Sequence, residues 1–268
     1  MYLSDYHLHT HCSSDAHATL AKQAWAAIRA GVREICITDH WNFLDQQGNR
    51  LPTVYDWSGP LDQWRRVRDL WPGQLEIRLG VEVGNGVLDP AAVDASLDIP
   101  ELDFVIGSLH SQSAAAGGRG IFRAAKECTK KEDGAAILDD SMDMLEELVD
   151  TGGWDVLGHV IYPLRYIPGE YGLDLHPWWD RLAEVFRSVI GQGKGIEFNT
   201  TGGKTIGQWR DVLELYRGLG GDVLTLGADA HRPSEVAAAF PQALELIREV
   251  GFKDLCVYRH RTPLFCKI

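Results

Sequence analysis

Four of the chain's ten histidines fall within its first seventeen residues, in the stretch YHLHTHCSSDAH, as His7, His9, His11 and His17, and Asp15 lies among them. Imidazole and carboxylate groups crowded in this way are surface decoration, an expression tag or ligands of a transition metal. The run is not a tag, because Leu8, Thr10 and Cys12 interrupt it. In an extended segment, residues i and i+2 share a face, so His7 and His9 form one same-face pair. Asp229 and His231 in GADAH form a second. Between them stand Asp39 and His40 in TDH, Glu82 in GVE, His110 in GSLH, His159 in GH, and Asn199 and Thr200 in FNT. Each of these short motifs is weak alone, and a single buried histidine is more often a hydrogen-bonded core residue. As a set they describe a centre for Zn²⁺, Mn²⁺ or Fe²⁺.

The set carries weight because of where the elements put it. Short β-rich runs alternate with amphipathic helical stretches along the whole chain. Strands are expected at 1–9, 33–40, 75–84, 103–110, 154–160, 194–200 and 222–231, with a further one at 253–258. Helices are expected between them, among them 18–31, 61–71, 137–152, 178–192, 206–221 and 233–251, and a loop or partly helical insertion at 111–136. Repeating β–α units build a parallel sheet, and this many of them a closed or nearly closed barrel. Every residue picked out for its chemistry, Asp15 apart, then sits at the carboxyl end of a strand, the face on which barrel enzymes build their sites.

Composition bounds the rest. With 268 residues, 45% of them hydrophobic, the chain suits one large barrel domain covering 1–268. No stretch is apolar and long enough to span a bilayer, and the amino terminus lacks the form of a signal peptide. Five scattered cysteines without a CxxC suggest reduced thiols and a cytoplasmic protein. The net charge of −12 disfavours nucleic acid as a partner but leaves room for a small anionic substrate at a cleft that binds cations.

Taken in order, HLHT with Asp15, TDH, GVE, GSLH, GH and GADAH resemble the polymerase and histidinol phosphatase (PHP) superfamily, over residues 5 to about 233, and its histidinol-phosphatase-like branch in particular. The resemblance implies a distorted (β/α)7 barrel, three divalent metal ions and hydrolysis of phosphate esters. Carried over, His7, His9, Glu82 and Asp229 would hold a first ion. Glu82 would bridge to a second on His110 and His159, and Asp15, His40 and His231 would hold a third. His17 is the rival to Asp15. The amidohydrolases also open a barrel with HxH, but they usually need a lysine or Glu on a middle strand and a single Asp after the last ligand strand, where this chain has Glu82, His110 and His159 on the middle strands and the pair Asp229 and His231 on the seventh.

A hydroxide shared by two cations is a strong nucleophile, so no side-chain nucleophile is required. Asp229 or His231 is then the candidate proton donor to the leaving group, and Asp39 a residue that orients His40 or a bound water. Arg165, six residues past His159, is placed to clamp a phosphate, the alternative being a surface arginine. Asn199, Thr201 and Lys204 line the end of the sixth strand. They stand where histidinol phosphatases carry Asn-Thr-Ser-Gly and a nearby arginine, with Thr201 in place of the serine and Lys204 near the arginine's place. The expected substrate is a small phosphomonoester. A small phosphodiester and a non-catalytic binding domain are the alternatives.

Overall fold

The structure, a computed structural model, describes residues 2–268; Met1, included in the expected first strand, lies outside them. In chain order, β1 (Ser4–Leu8) leads through α1 (Leu20–Arg29) to β2 (Glu34–Ile37) and the short β3 (His40–Asn42). The helix α2 (Ser58–Val67) precedes β4 (Glu76–Gly84), and α3 (Pro90–Ser96) precedes β5 (Phe104–Ser108). Two helices, α4 (Ile121–Lys126) and α5 (Lys131–Val149), come before β6 (Val156–Leu157). Then follow α6 (Trp179–Gly191), β7 (Gly195–Asn199), α7 (Ile206–Gly218), β8 (Leu224–Gly227) and α8 (Phe240–Val250). A hairpin of β9 (Asp254–Arg259) and β10 (Thr262–Lys267) ends the chain.

The strands run in the order β1-β2-β4-β5-β6-β7-β8, and all neighbours are parallel, with β3 paired to the far half of β4. Just past β8, the Asp229 N–H donates to His7 O and the His9 N–H to Ala230 O, both at 2.9 Å, which brings the last strand back to the first. The result is the expected distorted, nearly closed seven-stranded barrel. Its strands are largely buried, β2, β5 and β8 completely, because helices cover the outer face and side chains fill the inner one. The helices meet the sheet along apolar stripes of helical period: Phe240, Ala243, Leu244 and Ile247 of α8 are all buried.

The hairpin of β9 and β10 closes the amino-terminal end of the barrel. Tyr258 packs on Tyr6 and Phe104, and Arg259 reaches the fully buried Glu34 with two nitrogens, each 2.6 Å from a carboxylate oxygen. The hydroxyls of Tyr2 and Tyr6 donate to the same carboxylate. The sequence pattern predicts β9 but not its partner β10, whose exposed alternation and Pro263 resemble a loop; proline is tolerated here because β10 is an edge strand. Two other expectations shift. α5 begins at Lys131, inside the expected insertion, and α8 begins at Phe240 instead of Pro233, because Ala237 and Ala239 take left-handed φ values of 54° and 60° that no helix accommodates. Among the described residues no helix is long and apolar enough to cross a membrane.

Candidate metal centre

At the carboxyl ends of the strands, the predicted donors come together in three adjoining groups. Around the first, His7 Nε2 lies 3.2 Å from Glu82 Oε2 and 3.5 Å from Asp229 Oδ1, and His9 Nε2 lies 3.6 and 3.3 Å from the same two oxygens. In the second, Glu82 Oε1 is 3.0 Å from His110 Nε2 and 2.9 Å from His159 Nε2, which are 3.3 Å apart. In the third, Asp15 Oδ2, His40 Nε2 and His231 Nε2 form a triangle with every side 3.4 Å. Donors bound at about 2.0–2.2 Å to one tetrahedral ion stand roughly 3.3–3.6 Å from one another, which the third group and most of the first match, while the two contacts of Glu82 Oε1 in the second are tighter, at 2.9 and 3.0 Å. Glu82 contributes one oxygen to each of the first two groups. His17 is exposed, and Asp15 is the residue of that pair beside His40 and His231.

The donor chemistry fits cations as well. The Nε2 atoms of His7 and His9 and Oε2 of Glu82 are buried without a hydrogen-bond partner. Four imidazoles present Nδ1 to a partner behind them and leave Nε2 facing inward. His7 Nδ1 meets Glu197 Oε1 at 2.6 Å, His9 Nδ1 meets Ser13 Oγ at 3.2 Å, His110 Nδ1 meets Asn42 Oδ1 at 2.7 Å and His231 Nδ1 meets Asp229 O at 3.0 Å. Such contacts fix the tautomer in which Nε2 carries a lone pair, the arrangement found behind metal-bound histidines. Bare imidazolium rings would repel one another here: the rings of His9 and His40 are 4.0 Å apart, and those of His9 and His231 4.2 Å. Electrostatics reflects the crowding. Burial and the neighbouring His40 and His231 push His9 well below the usual histidine range. Burial opposes ionisation of Glu82 and Asp229, but the surrounding histidines outweigh it and hold both carboxyls well below the usual range.

The backbone is shaped to these contacts. Asp229 and His159 take positive φ, 58° and 21°, a conformation that aspartate tolerates better than most residues. Two glycines leave room for the supporting pairs. A Cβ on Gly84 would lie 2.7 Å from His110 Nδ1, and one on Gly227 would lie 2.5 Å from His7 Cβ and overlap Glu197 Oε1.

Asp39 needs correcting. It touches neither the His40 ring nor the centre. Its buried carboxylate accepts from the Thr10 N–H at 2.6 Å, the Thr10 hydroxyl at 2.7 Å, the Ser13 hydroxyl at 2.7 Å and Gln63 Nε2 at 3.2 Å. Adjacent residues of an extended chain point to opposite sides, so with His40 facing the centre Asp39 faces the loop that carries His9 and Asp15.

Arg165 is no surface arginine. Its side chain is buried against Asp229, with Nη1 2.8 Å from Oδ2, while Nε and Nη2 have no partner. Asn199 is buried behind His7, where its Nδ2 donates to Glu197 Oε1 at 3.1 Å, and Thr201 donates to Asn199 Oδ1 at 2.6 Å. Lys204 is exposed. Sequence reasoning missed Glu197, Ser13 and Asn42, the partners that hold His7, His9 and His110. For Glu197 a signal was present: it precedes Asn199 by two residues, and so shares its face of β7.

Fold and donor set together define a barrel protein that binds divalent metal ions through histidine and carboxylate side chains. Residues 5–201 match the model of the PHP domain, and the chain belongs to that family. It is 31% identical, over 97% of its own length and 97% of the relative's, to a probable histidinol-phosphatase of Deinococcus radiodurans. It is 26% identical to the histidinol-phosphatase of Lactococcus lactis subsp. lactis, over 95% of this chain and 93% of that one. Among solved structures, the L. lactis histidinol phosphate phosphatase, complexed with zinc, L-histidinol and phosphate, has the same fold, with a TM-score of 0.83 at 24% identity over 98% of both chains.

Proposed function

We propose that this chain is a phosphomonoesterase that hydrolyses histidinol phosphate or a similar small organic phosphate, with three divalent transition-metal ions, zinc, manganese or iron, as cofactors. The observation that carries the reading is the convergence of His7, His9, Asp15, His40, Glu82, His110, His159, Asp229 and His231 into three adjoining donor groups, the first two of which share Glu82. Such ions supply Lewis acidity, making water nucleophilic at neutral pH and neutralising charge that develops on a phosphoryl group. Residues 1–268 act as one barrel domain in this reading, and the five free cysteines fit a reducing, cytoplasmic setting.

The chain's own groups divide the remaining work. Arg165 is fixed by Asp229 on one nitrogen and offers Nε and Nη2 to the phosphate, a bidentate geometry that reads phosphate and not the leaving group. Asp229 has one oxygen among His7 and His9 and the other on Arg165, which favours its carboxylate form and makes it a poor proton donor. His231 is the other candidate; its Nδ1 lies 3.0 Å from the Asp229 carbonyl and its Nε2 faces Asp15 and His40. Thr201 and Lys204, at the mouth, are assigned to choice of leaving group, and Asn199 to support of His7 through Glu197.

The test is phosphate release from a panel of phosphomonoesters and diesters by protein reconstituted with Zn²⁺, Mn²⁺ or Fe²⁺. Monoesters should be turned over and diesters should not. In the same panel Arg165→Ala should lower kcat/KM by about one to two orders of magnitude, the worth of a charge-assisted contact, and by a similar factor for every monoester. A variant with wild-type kinetics on all of them would leave phosphate capture to the metals alone.

A further inference from the structure

Glu197, on β7, touches the metal centre from behind and at two places at once. Its Oε1 lies 2.6 Å from His7 Nδ1 and accepts from Asn199 Nδ2 at 3.1 Å, while its Oε2 accepts from the His159 N–H at 2.9 Å. His7 belongs to the first donor group and His159 to the second. The carboxylate is almost fully buried, so these contacts have no water to replace them. His159 also has a positive φ of 21°, a backbone conformation that needs an external hold, and the bond to Oε2 provides one. Gly227 on β8 is the residue that leaves space for the pair, since a side chain there would overlap Glu197 Oε1.

We infer that Glu197 is a positioning residue that sets the His7 tautomer and the His159 backbone together, and so ties the first and second metal positions into one cooperative unit. The inference rests on the metal-centre reading above. Its logic is one of donors and acceptors. All three partners of Glu197 arrive as N–H donors once His7 is in the tautomer that leaves Nε2 free, so both carboxylate oxygens must accept. A glutamine of the same shape fails whichever way it lies. With its NH2 toward His7 it donates to Nδ1 and moves the ring proton to Nε2, where it blocks the metal. With its NH2 toward His159 it opposes the backbone N–H. Aspartate, in contrast, keeps two acceptors at the price of reach. By comparison Asn42 supports His110 alone, and so acts on the second position only.

The experiment is zinc titration of metal-free protein against a chromophoric chelator, which counts the ions and ranks their affinities without using turnover. Circular dichroism of each metal-free variant reports folding. In Glu197→Gln two ions should weaken together, by roughly 10–100-fold, while the third is held as in wild type. Asn42→Ala should weaken one. Glu197→Asp should lose less than Glu197→Gln, although it disturbs packing more, and this order is what a merely space-filling role would reverse. Should Glu197→Gln fail to fold, coordinate weakening of two ions in Glu197→Asp carries the test. Wild-type affinities in both variants, or a loss confined to one ion, overturn the inference while leaving the metal centre intact. A wild-type chain that binds no zinc overturns the centre itself, and the inference with it.

Discussion

Glu82→Gln should fold and yet lose activity by about three orders of magnitude or more, with at least one metal ion fewer per chain. The residue is fully buried, and both of its oxygens are in use. Oε1 faces His110 and His159 and accepts from the Ser108 hydroxyl at 2.7 Å, and Oε2 faces His7, His9 and His40. His40 Nδ1 approaches Oε2 to 2.7 Å. An amide here removes the negative charge that the first two bound cations would share and turns an NH2 toward the lone pair of at least one imidazole. Lewis-acid stabilisation is worth several kcal/mol, and each 1.36 kcal/mol is tenfold in rate, which gives the size of the loss. The barrel should survive, because glutamine fills the same volume and can still accept from Ser108. Circular dichroism, phosphate release and metal content measured on one preparation check all three statements. Retained turnover with full metal content would mean that Glu82 is not shared between the first two groups.

The second large effect lies at the opposite end of the barrel and should touch stability alone. Arg259→Met leaves the Glu34 carboxylate buried with Tyr2, Tyr6 and, at 3.6 Å, Arg78 Nε as its remaining partners. Removing one member of a buried ion pair costs about 3–5 kcal/mol, and the partial exposure of Arg259 argues for the lower figure, about 3 kcal/mol. At roughly 2–4 °C per kcal/mol for a chain of this size, Tm should fall by about 6–12 °C. Metal content and KM should not change, because the hairpin lies at the amino-terminal end of the barrel and the metal centre at the carboxyl end. An unchanged Tm would show that β9 and β10 do not close the barrel floor through this pair.

The two ends also differ in how much the sequence discloses. The donors, Asp15 apart, were legible because each polar residue interrupts or terminates an apolar run that has to be a buried strand, and because i, i+2 parity pairs His7 with His9. The residues behind them were not. Asn42, Ser13 and Glu197 meet their histidines across 68, 4 and 190 positions of chain, and nothing local in HWN, CSS or GIEFN says which ring each will face. Asp39, expected to orient His40 or a bound water, faces away from the His40 ring, because neighbours in an extended chain point apart. The reading of Arg165 turned on burial, which a loop sequence does not encode: the chain folds back over Tyr162, and the guanidinium ends beside Asp229. The hairpin of β9 and β10 was half seen. An exposed edge strand lacks the apolar alternation by which buried strands are recognised.

The measurement that bears most directly on the account is elemental analysis of the purified wild-type chain, prepared without chelator and again after incubation with Zn²⁺ or Mn²⁺. Three adjoining donor groups, two of them sharing the Glu82 carboxylate, should hold close to three transition-metal ions per chain. Metal content near zero after incubation would contradict the account, because the buried, unpartnered nitrogens of His7 and His9 and the crowded rings around them would then have no cations to explain them.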